Sequence, residues 1–348
     1  MDELTQVERA LPFAVPLYSG QSLESYLESL AVAYHVAPKT MISRLGLPAS
    51  RTSNALLNLD DEDTERIASL CRLDPADVRA ATIRQYEPLG LAPPPRNAKP
   101  RGYDHWTTFA RDSGTRWCPH CLVENPLVHR LEWHLQWTYC CLEHNSILAD
   151  RCPDCGHVPR SGENRRKDRF DPFRCLKYDH DLYEDKPDKI CRRDLRTVSA
   201  KRLPAEHPLL AAQARISDLI ASAVASPTSG TYRMCGIAVP VAEAILALGG
   251  LVRMMVSAKI NHDLAVAHNL SGSRSIRPPA TLDISDLSAQ TRLAKITGDA
   301  ATFGAFATIA MDVLATPSLD RAASEMQRYL DLGTEPIDKT WIPRDELQ

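Results

Sequence analysis

The chain has 348 residues, enough for two or three modules each with its own core, and 44 acidic against 41 basic side chains leave a formal net charge of −3. That balance excludes a protein that coats nucleic acid non-specifically, which would need a large cationic surplus. The first nine residues, Met-Asp-Glu-Leu-Thr-Gln-Val-Glu-Arg, are acidic and lack an apolar core, so nothing points to secretion, and the ten cysteines are expected as thiols or metal ligands rather than disulfides.

Residues 1–91 predict a helical module. After Ser22, the apolar positions Leu23, Tyr26, Leu27, Leu30, Ala31 and Tyr34 follow a 3.6-residue period. Pro38 opens a short helix with Met41, Ile42 and Leu45 on one face, closed by Gly46 and Pro48. A third helix is expected around 62–72, burying Ile67 and Leu70. Asp74-Pro75-Ala76-Asp77 starts a fourth that runs through Val78, Ile83 and Tyr86. Short helical pairs with tight turns are compatible with helix-turn-helix packing, and Lys39, Arg44 and Arg51 are its candidate contacts to nucleic acid or a partner. Residues 92–101 hold four prolines and form an extended linker.

Residues 102–202 carry the chemistry. Cys118-x-x-Cys121 is followed after 19 residues by Cys141-x-x-His144, then by Cys152-x-x-Cys155. A tetrahedral zinc site needs four soft or borderline ligands, and two tight turns of this kind supply them in pairs. Cys118, Cys121, Cys141 and His144 are therefore expected to form one structural site. Cys152 and Cys155 open a second, for which Cys175, His180 and Cys191 compete. The all-thiolate choice, Cys175 with Cys191, is favoured because His180 lies in a polar loop tip. Cys140 is out of register with the Cys-x-x-His turn and is expected as a buried thiol, and His120 as a solvated loop residue. His129 and His134 are five apart on an expected helix, the wrong spacing for a catalytic zinc pair. Trp133 and Trp137, four apart on that same helix, are expected as core. Residues 151–202 hold 15 Lys or Arg against 10 Asp or Glu, which makes Arg160, Arg165, Arg166, Lys167 and Arg169 candidates for a phosphate-facing surface.

The remainder, 203–348, predicts a helical C-terminal domain with helices near 207–223, 239–248, 251–262, 284–297, 303–315 and 318–331. The apolar stretch 236–256 contains Pro240, Glu243, Gly249-Gly250 and Arg253, so two packed helices parting near the glycines are expected rather than a membrane span. No phosphate-binding glycine motif and no nucleophile or carboxylate constellation can be read from the chain, so no enzyme activity is expected. The fold class is mainly α, with two structural zinc ions.

The cysteine block also resembles a known family. Arg116-Trp117-Cys118-Pro119-His120-Cys121-Leu122, Trp133-His134-Leu135-Gln136-Trp137, Cys141-Leu142-Glu143-His144, Leu148 and Cys152-Pro153-Asp154-Cys155-Gly156 follow, in order, the pattern of the TniQ family. Leu11-Pro12 through Pro16 and Glu24-Ser25-Tyr26-Leu27 are similar to that family's opening. Cys191-Arg192-Arg193-Asp194-Leu195 resembles the Cys-Gly-x-Asp-Leu that closes the second finger, with Arg192 in place of the small residue. The resemblance covers roughly residues 10–200. It implies a non-catalytic adaptor of Tn7-like or Tn5053-like transposition, and the expected lack of a membrane span with thiolate metal ligands makes a cytoplasmic protein the expectation. Such an adaptor links a target selector, a DNA site or a CRISPR effector complex, to an AAA+ ATPase of the TnsC/TniB type and through it to the transposase. CRISPR-associated relatives work as homodimers. The alternative from a different class is a stand-alone zinc-finger transcription regulator.

Overall fold

A computed structural model describes residues 10–47, 59–89, 110–111, 114–160, 171–178, 190–226, 230–257 and 299–334. About half of these are helical, with few strands, in agreement with the mainly α expectation. The chain divides into two compact units, one made of residues 1–135 with 149–200, the other of 136–148 with 201–348.

In the first unit, α1 (Leu23–Ala33) begins where Ser22 accepts a hydrogen bond from the Ser25 amide, and α2 (Pro38–Arg44) begins at its proline. Helix α3 (Asp61–Cys71) is capped by Asp60 and ends at Arg72, whose φ of 57° is left-handed. Helix α4 (Pro75–Ala80) is capped by Asp74 but stops earlier than the sequence suggests. Ile83 and Tyr86 lie instead on a 3-10 stretch, Ile83–Leu89, and are buried there. Leu23, Tyr26, Leu27 and Leu30 pack with Met41, Leu45, Ile67 and Val78 into one core.

Helix α1 is not amphipathic in the ordinary sense, because Glu24, Ser25, Glu28 and Ser29 on its polar face are buried as well. The physical reason is a second partner. The Leu127 carbonyl accepts from Gln21 Nε2 (3.2 Å), Ser25 Oγ (2.7 Å) and Ser29 Oγ (3.3 Å). The Ser22 amide donates to the His129 carbonyl (2.9 Å), and the Leu131 amide to Gly20 (2.8 Å). A polar helix face can be buried when each group finds such a partner.

The helix expected across 129–137 is absent. Only a 3-10 turn, Leu131–His134, forms, and Leu135 is extended with ψ 142°. The carbonyls of Trp133 and His134 accept from the Arg116 (3.2 Å) and Arg111 (2.8 Å) amides, leaving no helical ladder for them. Trp133 and Trp137 are nonetheless buried, as expected of core residues.

The second unit contains β1 (Cys140–Cys141) paired antiparallel with β2 (Ser146–Ile147), then α5 (Pro208–Ala225). A hairpin of β3 (Thr231–Met234) and β4 (Ile237–Pro240) follows, unanticipated from the sequence. Its two-residue turn, Cys235-Gly236, has φ 49° and 79°, the primed geometry that matches strand twist. A Cβ on Gly236 would lie 2.2 Å from the Pro317 carbonyl oxygen, so glycine is required there.

Helix α6 (Val241–Ser257) then runs unbroken through Gly249 and Gly250, correcting the expected break. Leu248, Val252 and Met255 are buried at successive turns, and their burial outweighs the roughly 1 kcal/mol that each glycine costs in a helix. Helices α7 (Ala300–Leu314) and α8 (Leu319–Thr334) are the last described elements of the unit. The expected helices at 284–297 and at the end of 251–262 fall outside the described residues. Among the described residues, no helix is long and apolar enough to cross a membrane.

Candidate metal centres

Cys118 ends an extended segment and stands immediately before a short helix, Pro119–Glu124, whose first turn carries Cys121. The Leu122 amide donates to the Cys118 carbonyl (3.1 Å) and the Asn125 amide to Cys121 (2.8 Å), which fixes the knuckle. Trp117 is fully buried beside it, its Nε1 donating to the Leu195 carbonyl (3.1 Å). Cys141 closes β1, and His144 lies in the turn that leads through left-handed Asn145 (φ 47°) to β2. Cys118, Cys121, Cys141 and His144 each offer one ligand atom, and all four atoms lie within 4.8 Å of one another. Cys141 Sγ is 3.4 Å from His144 Nδ1, close to the roughly 3.5 Å that a tetrahedral zinc with ordinary bond lengths would impose.

Cys152, Cys155, Cys175 and Cys191 form a second such set. The Gly156 amide donates to the Cys152 carbonyl (2.8 Å) and the Cys152 amide to His157 (2.9 Å), and Gly156 is left-handed at φ 67°. Cys175 and Cys191 come together because their flanks pair antiparallel. The Cys175 amide donates to the Arg193 carbonyl (2.9 Å) and the Cys191 amide to Lys177 (2.8 Å). The sulfur separations are 3.7 Å for Cys152 with Cys191 and 3.6 Å for Cys155 with Cys175. A tetrahedron of thiolates about 2.3 Å from zinc puts sulfurs about 3.8 Å apart, whereas a disulfide needs about 2.05 Å. No disulfide joins any of these cysteines.

Burial pushes the Cys152 and Cys175 thiols well above their ordinary range, and neighbouring cysteines add to the effect, against backbone amides that point at the sulfurs. Four clustered thiolates therefore need a cation to be tolerated. The donor set, the spacing and this electrostatic demand all fit a soft or borderline divalent metal. His180 lies outside the described residues. Cys140 is buried beside Cys141 on β1 and belongs to neither set.

Two supports were invisible in the sequence. Asp150, two residues before Cys152, accepts from Arg116 Nε (2.8 Å) and Arg111 Nη1 (3.1 Å), the two arginines buried and the aspartate nearly so. Burial and the adjacent Arg116 pull the Arg111 guanidinium down to about 10, against the opposing pull of Asp150. This triad joins the approach to the first knuckle to the approach to the second. In the other unit, Gln213 of α5 holds β1. Its Oε1 accepts from the Tyr139 (2.8 Å) and Cys140 (3.1 Å) amides, and its Nε2 donates to the Trp137 carbonyl (3.0 Å). Aspartate and glutamine at these positions carry no spacing signal, because their partners are far away in the chain.

The basic candidates separate sharply. Lys39 and Arg44 are exposed on α2. Arg51, Arg165, Arg166, Lys167 and Arg169 lie outside the described residues. Arg160 departs from its expected place on a phosphate-facing surface. Its side chain is only 6% exposed, with Nη2 2.6 Å from Glu28 Oε2 and 3.6 Å from Glu24 Oε2. Burial opposes its charge, but the two carboxylates outweigh burial and hold it above the usual arginine value. A guanidinium spent on buried acids is not available to a phosphate backbone.

Residues 12–148 match the TniQ family model. Over that stretch, less than half of the chain, the protein is similar to the TniQ family. The TniQ match takes in α1 to α4 and the whole first ligand set, and ends before Cys152, so the second set lies beyond it. Among curated proteins none matches the chain.

Proposed function

We propose that the protein is a non-catalytic adaptor of Tn7-like or Tn5053-like DNA transposition, stabilised by two structural zinc ions. The observation that carries this is the TniQ match over residues 12–148, joined to two ligand sets in which four protein donors converge. Four donors per metal favour a structural role, because a catalytic zinc keeps one position for water or substrate. The adaptor binds an AAA+ ATPase of the TnsC/TniB type and a target selector, either a DNA site or a CRISPR effector complex, and reaches the transposase through the ATPase. Lys39 and Arg44, exposed on α2 of a helix-turn-helix-like module, are the described basic side chains proposed to meet nucleic acid or a partner. Arg51, Arg165, Arg166, Lys167 and Arg169 are proposed with them on sequence grounds.

Pull-down of the zinc-loaded protein with such an ATPase, with and without DNA, tests the proposal. Capture of the ATPase is the expected result. Sequence-specific DNA binding with no capture in either condition would overturn the adaptor role in favour of a stand-alone regulator. Contacts to phosphates release counterions, so Lys39→Glu with Arg44→Glu should flatten the salt dependence of any DNA binding.

A further inference from the structure

Helix α1 buries two carboxylates on one face, Glu24 at 1% and Glu28 at 4% exposure, one helical turn apart. Like charges at this spacing repel, and removal from water penalises each of them further. One cation that answers both comes from the second knuckle. Arg160 stands five residues after Cys155 and places its guanidinium 2.6 Å from Glu28 and 3.6 Å from Glu24. His134 Nε2 approaches Glu24 at 4.0 Å from the other direction.

Residues 152–160 contain no helix or strand. Their course is held by the ligands Cys152 and Cys155, by the turn bonds of Cys152 and Gly156, and by the Thr115 amide donating to the Pro159 carbonyl (3.4 Å). Gly114 lets Val158 pack closely, since a Cβ there would meet Val158 Cγ1 at 2.4 Å. Arg160 itself is left-handed at φ 61°, a conformation that an arginine keeps only when its surroundings impose it.

We propose that Arg160 is a metal-positioned latch: a metal at Cys152, Cys155, Cys175 and Cys191 holds Arg160 against Glu24 and Glu28, and its loss loosens α1. When the ligand set comes apart, the 152–160 segment loses its main anchor and Arg160 moves towards water. Glu24 and Glu28 then lose the Arg160 guanidinium while still buried together, and α1 opens to hydrate them. The N-terminal helices thereby report the metal state of a knuckle more than a hundred residues away in sequence. The inference rests on the second set's holding a metal.

Hydrogen exchange of the full-length protein, with metal content measured by native mass spectrometry on the same samples, tests it. In Cys152→Ser/Cys155→Ser, or in wild type stripped stepwise to one metal by a weak chelator, amides of α1 should exchange about tenfold faster or more, while α7 in the other unit stays protected. Arg160→Met should accelerate α1 to a similar extent with both metals retained. Glu24→Gln/Glu28→Gln/Arg160→Met should slow α1 again and make it insensitive to the metal of the second set. Unchanged α1 exchange in wild type stripped to one metal, or in Arg160→Met, overturns the latch while leaving the metal sites standing. Wild type that holds no metal at the second set overturns the latch together with the metal assignment on which it rests.

Discussion

Cys141 and His144 are three residues apart, one at the end of β1 and the other in the turn to β2, so a single local hairpin presents both donors. Cys175 and Cys191 are sixteen apart and meet only because the segments around them pair through Cys175 to Arg193 and Cys191 to Lys177. The two ligand sets open with the same Cys-x-x-Cys turn yet are completed by different means, one local and one by pairing across a loop. Closing the longer loop costs more chain entropy, so the second set should depend more heavily on its metal for order.

The largest effect expected from breaking this comparison is loss of a metal. Native mass spectrometry should find two zinc ions in the intact protein, and Cys141→Ser and Cys191→Ser should each reduce the count to one. His180→Ala should leave it at two. Loss of a zinc from His180→Ala with none lost from Cys191→Ser would mean that the pairing of 174–178 with 190–194 does not choose the ligand. Zinc binding in small fingers supplies on the order of 10 kcal/mol, so either cysteine variant should also lose the cooperative unfolding of its knuckle.

Asp150→Asn comes next. It leaves the buried Arg111 and Arg116 without their carboxylate, which should destabilise the first unit by about 3–5 kcal/mol in denaturant titrations. A change below about 1 kcal/mol would show that water reaches the triad and that it does not join the two knuckles. Gln213→Leu should cost about 1–3 kcal/mol, because the Tyr139 and Cys140 amides and the Trp137 carbonyl lose their partner together. Its zinc should exchange faster from the first set than from the second. Equal exchange from both would remove Gln213 from the support of Cys141.

The smallest effect is expected at Cys140. Serine there should keep two zinc ions and cost about 1–2 kcal/mol for a buried hydroxyl, since Cys140 packs beside Cys141 and belongs to neither ligand set. A count of one in Cys140→Ser would put the register of β1 off by a residue.

Much of the N-terminal module was legible because its signals are local. Ser22, Pro38 and Asp74-Pro75 mark helix starts through their own backbone geometry, and the observed helices begin where these residues place them. The first ligand set was equally legible, since turn spacing alone brings each pair of donors to one point. Apolar periodicity was a weaker guide wherever another segment supplied the hydrogen bonds. Trp133 and His134 gave up a helical ladder to Arg116 and Arg111, and the Val241–Ser257 helix crossed two glycines because Leu248, Val252 and Met255 had a core to fill.

By itself the sequence determined where donors, caps and apolar stripes stand along the chain, since each of these is a property of a few neighbouring residues. Only the tertiary structure decided that Cys175 and Cys191 meet Cys152 and Cys155 at one point, that Asp150 and Gln213 support the knuckles, and that Arg160 faces inward to Glu24 and Glu28. Charge on a loop says nothing about which way a side chain turns. That is set by the acids it meets once the chain has folded, and a buried carboxylate pair attracts a guanidinium more strongly than water holds it.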